Sequence, residues 1–153
     1  MIYLDHAATT PMSHSASEVY VNVATHYFGN PSSLHDAKIL HCNTADVIFT
    51  GGGSDANKLA IQVLLHALPN HKNEIVTSTV EHSSIHNYLQ LLEQRGYKII
   101  KIPVDEVGSL NLKELEQCLS KNTALVTVQH ANSETGVIQN VQEISSICRK
   151  ADV

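Results

Sequence analysis

Tryptophan is absent from the 153 residues, phenylalanine occurs twice, and only two of the ten cationic residues are arginines, Arg95 and Arg149. Fifteen acidic residues stand against those ten, giving a formal charge of −5. Phosphate backbones are bound by clustered cations, and no basic run exists here, so a nucleic-acid surface is not expected. Long apolar runs are missing too. Unbroken stretches such as residues 63–65 fall far short of a membrane span, and the opening around Asp5 lacks the cationic flank of a signal peptide. A soluble, untargeted chain with no membrane partner is the expectation. Cys42, Cys118 and Cys148 stand 76 and 30 residues apart, which makes neither a CxxC pair nor a disulfide scaffold and fits a reducing cytosol. A chain of this length buries roughly two thirds of the surface its unfolded form exposes, so one domain needs no staple.

What is present is a regular alternation. Ala16, Val19, Tyr20, Val23, Ala24 and Tyr27 repeat at helical spacing after Pro11 and the N-cap candidate Ser13, and before Gly29. Residues 46–50 read as a short apolar strand that runs into Gly51-Gly52-Gly53-Ser54, after which Ala56, Leu59, Ala60, Val63, Leu64 and Ala67 resume the helical period. Strand 74–78, helix 84–94 stopped by Gly96, strand 97–104, a helix through Leu119, strand 123–129 and a helix through Lys150 follow. Asn111 with Glu114, and Asn140 with Glu143, are capping pairs for the last two helices. Such alternation implies an α/β fold with three layers, a mainly parallel sheet covered by helices on both faces, because every parallel pairing needs a crossover. Ala151-Asp152-Val153 looks like the opening of another strand, so the chain reads as the front part of something larger. The stretch between His35 and Asp46 leaves room for barely two turns of helix, too short beside most helices of the pattern.

Polar residues gather just after three of the strands. The Gly51-Gly52-Gly53-Ser54-Asp55 turn points amides and a helix dipole at whatever binds there. It suits an anion, a phosphate first among them, with Ser54 capping the helix; a plain tight turn is the other reading. It matches neither a Walker loop nor a dinucleotide fingerprint. Glu81-His82-Ser83-Ser84 places an imidazole near the same sheet edge, able to stack on a planar cofactor or move protons, or else an ordinary loop histidine. His82 and His86 share metal-ligand spacing, but no third ligand and no HExxH order accompany them, so no metal site is assigned despite the ten histidines. Asn132, in His130-Ala131-Asn132-Ser133-Glu134-Thr135-Gly136, is either a donor to a cofactor oxygen or an Asx turn. Cys118 and Cys148 read as small hydrophobes on helices. In a parallel sheet all these strand ends fall on the side where open α/β sheets bind ligands.

Together Tyr3-Leu4-Asp5-His6-Ala7-Ala8-Thr9-Thr10-Pro11, Gly29-Asn30-Pro31-Ser32-Ser33-Leu34-His35, Phe49-Thr50-Gly51-Gly52-Gly53-Ser54-Asp55-Ala56-Asn57, Glu81-His82 and the segment His130 to Gly136 resemble, in order and spacing, the motifs of the cysteine desulfurases. These are class V aminotransferase-like enzymes that use pyridoxal 5'-phosphate. The resemblance implies the N-terminal portion of the large domain of a fold-type-I enzyme over residues 1–153, with the remainder of that domain and the small domain elsewhere. It places Gly53 and Ser54 at the cofactor phosphate, His82 over the pyridine ring as stacking and proton-transferring group, and Asn132 near the phenolic oxygen.

It further implies conversion of L-cysteine to L-alanine, with the sulfur passed as an enzyme persulfide toward iron–sulfur cluster or tRNA thiolation pathways. A sulfur-acceptor protein, a homodimer and a cytoplasmic location go with it. A selenocysteine lyase, another class V aminotransferase and a non-catalytic truncated remnant are the alternatives. The family's pyridine-pairing aspartate, Schiff-base lysine, persulfide cysteine and substrate-binding arginine lie C-terminal to the matched region, and none of the eight lysines has the family's Ser-x-His-Lys setting. His6 stands where the family usually has asparagine, and Ser54 and Asp55 replace Thr and Glu. Relatives carry a long helix where this chain has the short stretch after His35. Either a true deletion or a sequence joined across missing residues is expected there, the latter favoured because losing a core helix would expose apolar surface at about 25 cal/mol per Å².

Overall fold

The computed structural model describes residues 12–26 and 46–153, divided between two compact units, Met1–Thr50 and Gly51–Val153. In the first, helix α1 spans His14–His26. Ser13 begins it as expected: the Ala16 amide donates to Ser13 Oγ at 3.2 Å and the Ser17 amide to the Ser13 carbonyl at 2.9 Å. The motifs around His6 and Asn30, Cys42 and the short stretch after His35 lie outside the described residues. Residues 46–50 do not form the expected strand. Asp46 lies in a 3₁₀ turn, residues 47–50 carry no regular secondary structure, and Ile48 and Phe49 are largely exposed.

The second unit alternates as the periodicity requires: α2 (Gly53–Ala67), β1 (Glu74–Ser78), α3 (Ser83–Gln94), β2 (Lys98–Ile102), α4 (Leu112–Cys118), β3 (Thr123–Thr127) and α5 (Val141–Lys150). Among the described residues the sheet has the order β2-β1-β3, with β1 parallel to both neighbours. Ile75 is in register with Ile99 and Leu125, and Val76 with Ile100 and Val126. Successive side chains of a strand point to opposite faces, so these two rows seed two cores. One joins Ile75 to Ile61 of α2 and to Ile85, Tyr88, Leu89 and Leu92 of α3; the other joins Val76 and Ile102 to Leu115 of α4 and Ile144 of α5. Helices therefore cover both faces, the three-layer arrangement expected.

Local chemistry sets the ends of these elements. Asn111 Oδ1 accepts from the Glu114 amide and Asn140 Oδ1 from the Glu143 amide, while each asparagine's Nδ2 donates to the glutamate carboxylate at 3.0 Å. Helix α3 closes on Gly96 at φ 96°, with the Tyr97 amide reaching back to Leu92 and the Gly96 amide to Glu93, a Schellman turn. β2 is shorter than expected because Pro103 follows it and has no amide for the ladder.

Two further expectations are corrected in the second unit. Ala151-Asp152-Val153 is no strand: Asp152 adopts φ 58° and the Val153 amide donates to Cys148, so the three residues end α5 in a second Schellman turn. Helix α2 buries Ile61 and partly buries Leu65, whereas Val63 and Leu64 of the face read as apolar are exposed. Apolar residues ring more than one side of α2, so periodicity alone could not select the packed side.

At the N-terminal ends of the strands Glu74 is nearly buried, and its carboxylate accepts from Lys98 Nζ at 2.8 Å and Ser120 Oγ at 2.7 Å. The Lys98 hydrogen bond, then that of Ser120, holds its pKa below the ordinary value of 4.5. A lowered carboxylate pKa stabilises the fold above the unfolded value, and that contribution fades as pH falls through the folded one. Glu74→Ala should cost about 1–3 kcal/mol at pH 7 by leaving both donors without their acceptor. In urea unfolding the gap between variant and wild type should stay constant from pH 7 to about 5 and shrink below 4.5. A gap independent of pH would assign the cost to packing alone.

Candidate active site

The C-terminal ends of β1 and β3 open into polar loops that are tied to each other. After β1, the Glu81 carboxylate accepts from Ser78 Oγ at 2.5 Å and from the Gln129 amide, beyond β3, at 3.0 Å. The Val80 carbonyl accepts from Gln129 Nε2 and, at 3.3 Å, from Asn132 Nδ2. A single turn of backbone, residues 78–81, thus grips the loop that carries Asn132. That loop is itself rigid: Asn132 Oδ1 accepts from the amides of Glu134 and Thr135, both at 2.9 Å, and Gly136 at φ 74° lets the chain fold back so that its amide reaches the Asn132 carbonyl. The Asx-turn reading of Asn132 is what the structure contains. Nδ2 has two hydrogens, and the Val80 carbonyl takes one.

His82 sits at the next position, the N-cap of α3, with an exposed side chain. Its Nδ1 accepts from the Ser84 amide at 3.1 Å and lies 2.9 Å from Ser84 Oγ, which also receives Asn57 Nδ2 at 3.0 Å. Asn57 belongs to the second turn of α2, so this chain of hydrogen bonds links His82 to the helix that begins at the glycine turn. Among the described residues no group of three His, Cys, Asp or Glu side chains could hold a metal ion.

Helix α2 begins with Gly52 as cap residue and has no side-chain cap. Ser54 is not the cap expected of it, because the helix starts at Gly53 and places Ser54 within the first turn, where the cap geometry is already past. Amides of a first turn have no intrahelical acceptor, and a Cβ built on Gly53 meets nothing within 4 Å. Among the described residues the first turn of α2 thus offers amide donors and a positive dipole end with space beside Gly53. At Gly51 a Cβ would come within 2.6 Å of Asp55 Oδ2, so the first glycine leaves room for that carboxylate.

The structure thus joins His82 to α2 and the Val80 turn to Asn132; no hydrogen bond among the described residues runs from Gly53 or Ser54 to either side chain. Open amides for an anion, an imidazole at a helix start and an amide with a spare hydrogen suit a planar cofactor with a phosphate tail. The pieces are held by Glu81, Gln129, Asn57 and Ser84, to which motif and spacing alone assign no role although all but Gln129 stand inside the polar motifs themselves and Gln129 directly precedes one.

A family model for the class-V aminotransferases matches residues 37–153. The chain belongs to that family. It is 42% identical over 162 residues to a putative cysteine desulfurase NifS of Bacillus subtilis, covering 95% of this chain and 41% of that protein. It is 34% identical over 168 residues to a cysteine desulfurase IscS of Dictyoglomus turgidum, covering 99% and 43%. Among solved structures, a NifS-like protein matches with a TM-score of 0.85 at 26% identity over 99% of this chain and 46% of its own. SspA in complex with cysteine matches with 0.83 at 27% identity over 100% and 49%. These likenesses bear out the α/β fold of the family and the motif resemblance. The chain spans less than half the length of these class-V relatives. Both aligned stretches are longer than its 153 residues, so the relatives carry residues that it lacks.

Because Glu81 is the acceptor common to both loops, Glu81→Ala should leave the Gln129 amide and the Ser78 hydroxyl unpaired. The expected cost is about 1–3 kcal/mol. Hydrogen exchange at the Gln129 amide should quicken while exchange in the middle of β1 does not, a pattern that mass spectrometry of peptides covering residues 70–80 and 120–140 would reveal. Equal quickening throughout would mean that Glu81 supports the whole sheet.

Proposed function

We propose that this chain is the cofactor-cradling segment of a pyridoxal-phosphate-dependent cysteine desulfurase, one that takes sulfur from L-cysteine and releases L-alanine. The observation that carries the reading is the meeting, at one edge of a parallel sheet, of a glycine-led helix start with His82 and with the Asn132 loop. The similarity to proteins named cysteine desulfurases supports it. So does the likeness to a structure described as a complex with cysteine. In this reading the amides of Gly53 and Ser54, with the Ser54 hydroxyl, bind the cofactor phosphate at the dipole end of α2. Asn132 offers its spare Nδ2 hydrogen to a cofactor oxygen. His82 lies against the ring and moves a proton at Nε2, since its Nδ1 is engaged by Ser84. Bound pyridoxal phosphate supplies the electron sink; the protein supplies position and electrostatics.

A homodimer, a cytoplasmic location and a sulfur-acceptor protein downstream belong to the same proposal. The sulfur would leave the enzyme as a persulfide for iron–sulfur cluster or tRNA thiolation chemistry. No lysine of this chain has the setting for cofactor attachment, so the 153-residue chain alone holds the cofactor non-covalently and is inactive.

In the whole protein, His82→Ala should slow alanine release about 10²- to 10⁴-fold, the usual worth of a positioned proton-transfer group. Ser54→Ala should loosen cofactor retention more than it slows turnover at saturating cofactor, its contact being to a group that does not react. Unchanged turnover in the histidine variant would overturn its assignment. For the 153-residue chain, borohydride reduction in the presence of pyridoxal phosphate should label no single lysine stoichiometrically; one fully labelled lysine in a peptide map would refute the division of labour.

A further inference from the structure

His82 does not stand alone in its loop. The Ser84 amide, 3.1 Å from its Nδ1, can only donate, so Nδ1 must present its lone pair and the neutral ring must carry its proton on Nε2. Ser84 Oγ, 2.9 Å from the same nitrogen, is approached on its other side by Asn57 Nδ2 at 3.0 Å. An amide NH₂ has no lone pair to offer, so Ser84 Oγ accepts from Asn57 and its own hydrogen is left to point at Nδ1. The direction of the whole chain is thereby set: Asn57 donates to Ser84, and Ser84 donates to His82. Ser84 and Asn57 are both partly buried, so the bond between them is shielded from competing water more than the Ser84–His82 contacts, which are exposed.

We infer that Asn57 and Ser84 are positioning residues that hold the His82 imidazole in one orientation and one tautomer, with Nε2–H presented outward, and couple it to the glycine-led start of α2. This rests on the reading of His82 as a group that faces the cofactor. Asn57 lies four residues beyond Gly53, the first residue of α2. Any shift of that helix on binding an anion is therefore transmitted to the ring through two hydrogen bonds. Neither residue touches the reacting atoms in this account; both act through His82.

The test is made in the whole protein, first without cofactor, labelled with ¹⁵N-histidine and with His82 assigned by comparison with His82→Gln. Its ring should show the Nε2–H tautomer in the wild type; in Ser84→Ala and in Asn57→Ala the backbone amide of residue 84 still donates to Nδ1, but with the hydroxyl bond lost or loosened the Nδ1–H form should gain a minor population. Binding of pyridoxal phosphate should weaken about 3- to 10-fold in each variant, the worth of one hydrogen bond. Ser84→Thr, which keeps the hydroxyl, should restore both tautomer and affinity. The double variant Asn57→Ala with Ser84→Ala should bind no more weakly than the worse single variant, because both remove the same chain. A wild-type ring protonated on Nδ1, strictly additive losses, or a threonine that fails to rescue would each overturn the inference. If Ser84→Ala does not fold, the wild-type tautomer and Asn57→Ala decide. If the wild-type protein fails to bind pyridoxal phosphate, the proposed function falls, while the tautomer measurements still decide whether the chain of hydrogen bonds sets the ring.

Discussion

The two parallel ladders of β1 are the constraint on which the larger unit depends. β1 has neighbours on both edges and buries all five of its residues. Parallel neighbours cannot be joined by tight turns, so each connection must leave the sheet and return through a helix. Because the side chains of β1 alternate between faces, Ile75 and Val76 demand apolar cover on opposite sides, and the returning helices provide it. Parallel pairing also brings the C-terminal ends of β1 and β3 together at one edge. The fold and the position of the candidate site are consequences of the same pairing.

The two edges of that sheet are used differently. At the N-terminal ends, Glu74 is held by Lys98 and Ser120, an arrangement that ties β1 to β2 and to the turn before β3 and points at nothing else. At the C-terminal ends the tying groups are offset from the residues of chemical interest. Glu81 and the Val80 carbonyl bind the Asn132 loop, and Ser84 with Asn57 bind His82. Among the described residues, the imidazole Nε2, one hydrogen of the Asn132 amide and the amides of Gly53 and Ser54 have no hydrogen-bond partner. A ligand site needs such an imbalance, since groups that satisfy one another have nothing to offer a ligand.

The membership of the class-V aminotransferase family fits this arrangement, and the length of the relatives explains why it is a partial one. In the proposed reading the groups described here would bind and orient a cofactor from one side, their polar side chains held by hydrogen bonds behind them.

Much of the architecture was legible because it rests on local signals. The capping asparagines Asn111 and Asn140, Gly96 at the end of α3 and the apolar runs of β1 and β3 each need only neighbours a few residues away, so composition and spacing were enough to find them. The side of α2 that packs was not legible, because apolar residues lie on more than one side and only the approach of α3 and the sheet chose Ile61. Nor was the fate of residues 46–50 or of Ala151-Asp152-Val153, since a strand exists only with a partner and a positive φ at Asp152 is a matter of three-dimensional closure. At the site, motif and spacing alone nominated Gly53, Ser54, His82 and Asn132 as candidates, and the Ser84 amide that claims one nitrogen of His82 is a local capping contact two residues away. Only tertiary structure brought Asn57 to the Ser84 hydroxyl and the Val80 carbonyl to one hydrogen of Asn132. Hydrogen bonds between distant segments depend on where the sheet places their ends, and that placement is a property of the assembled ladders rather than of any motif.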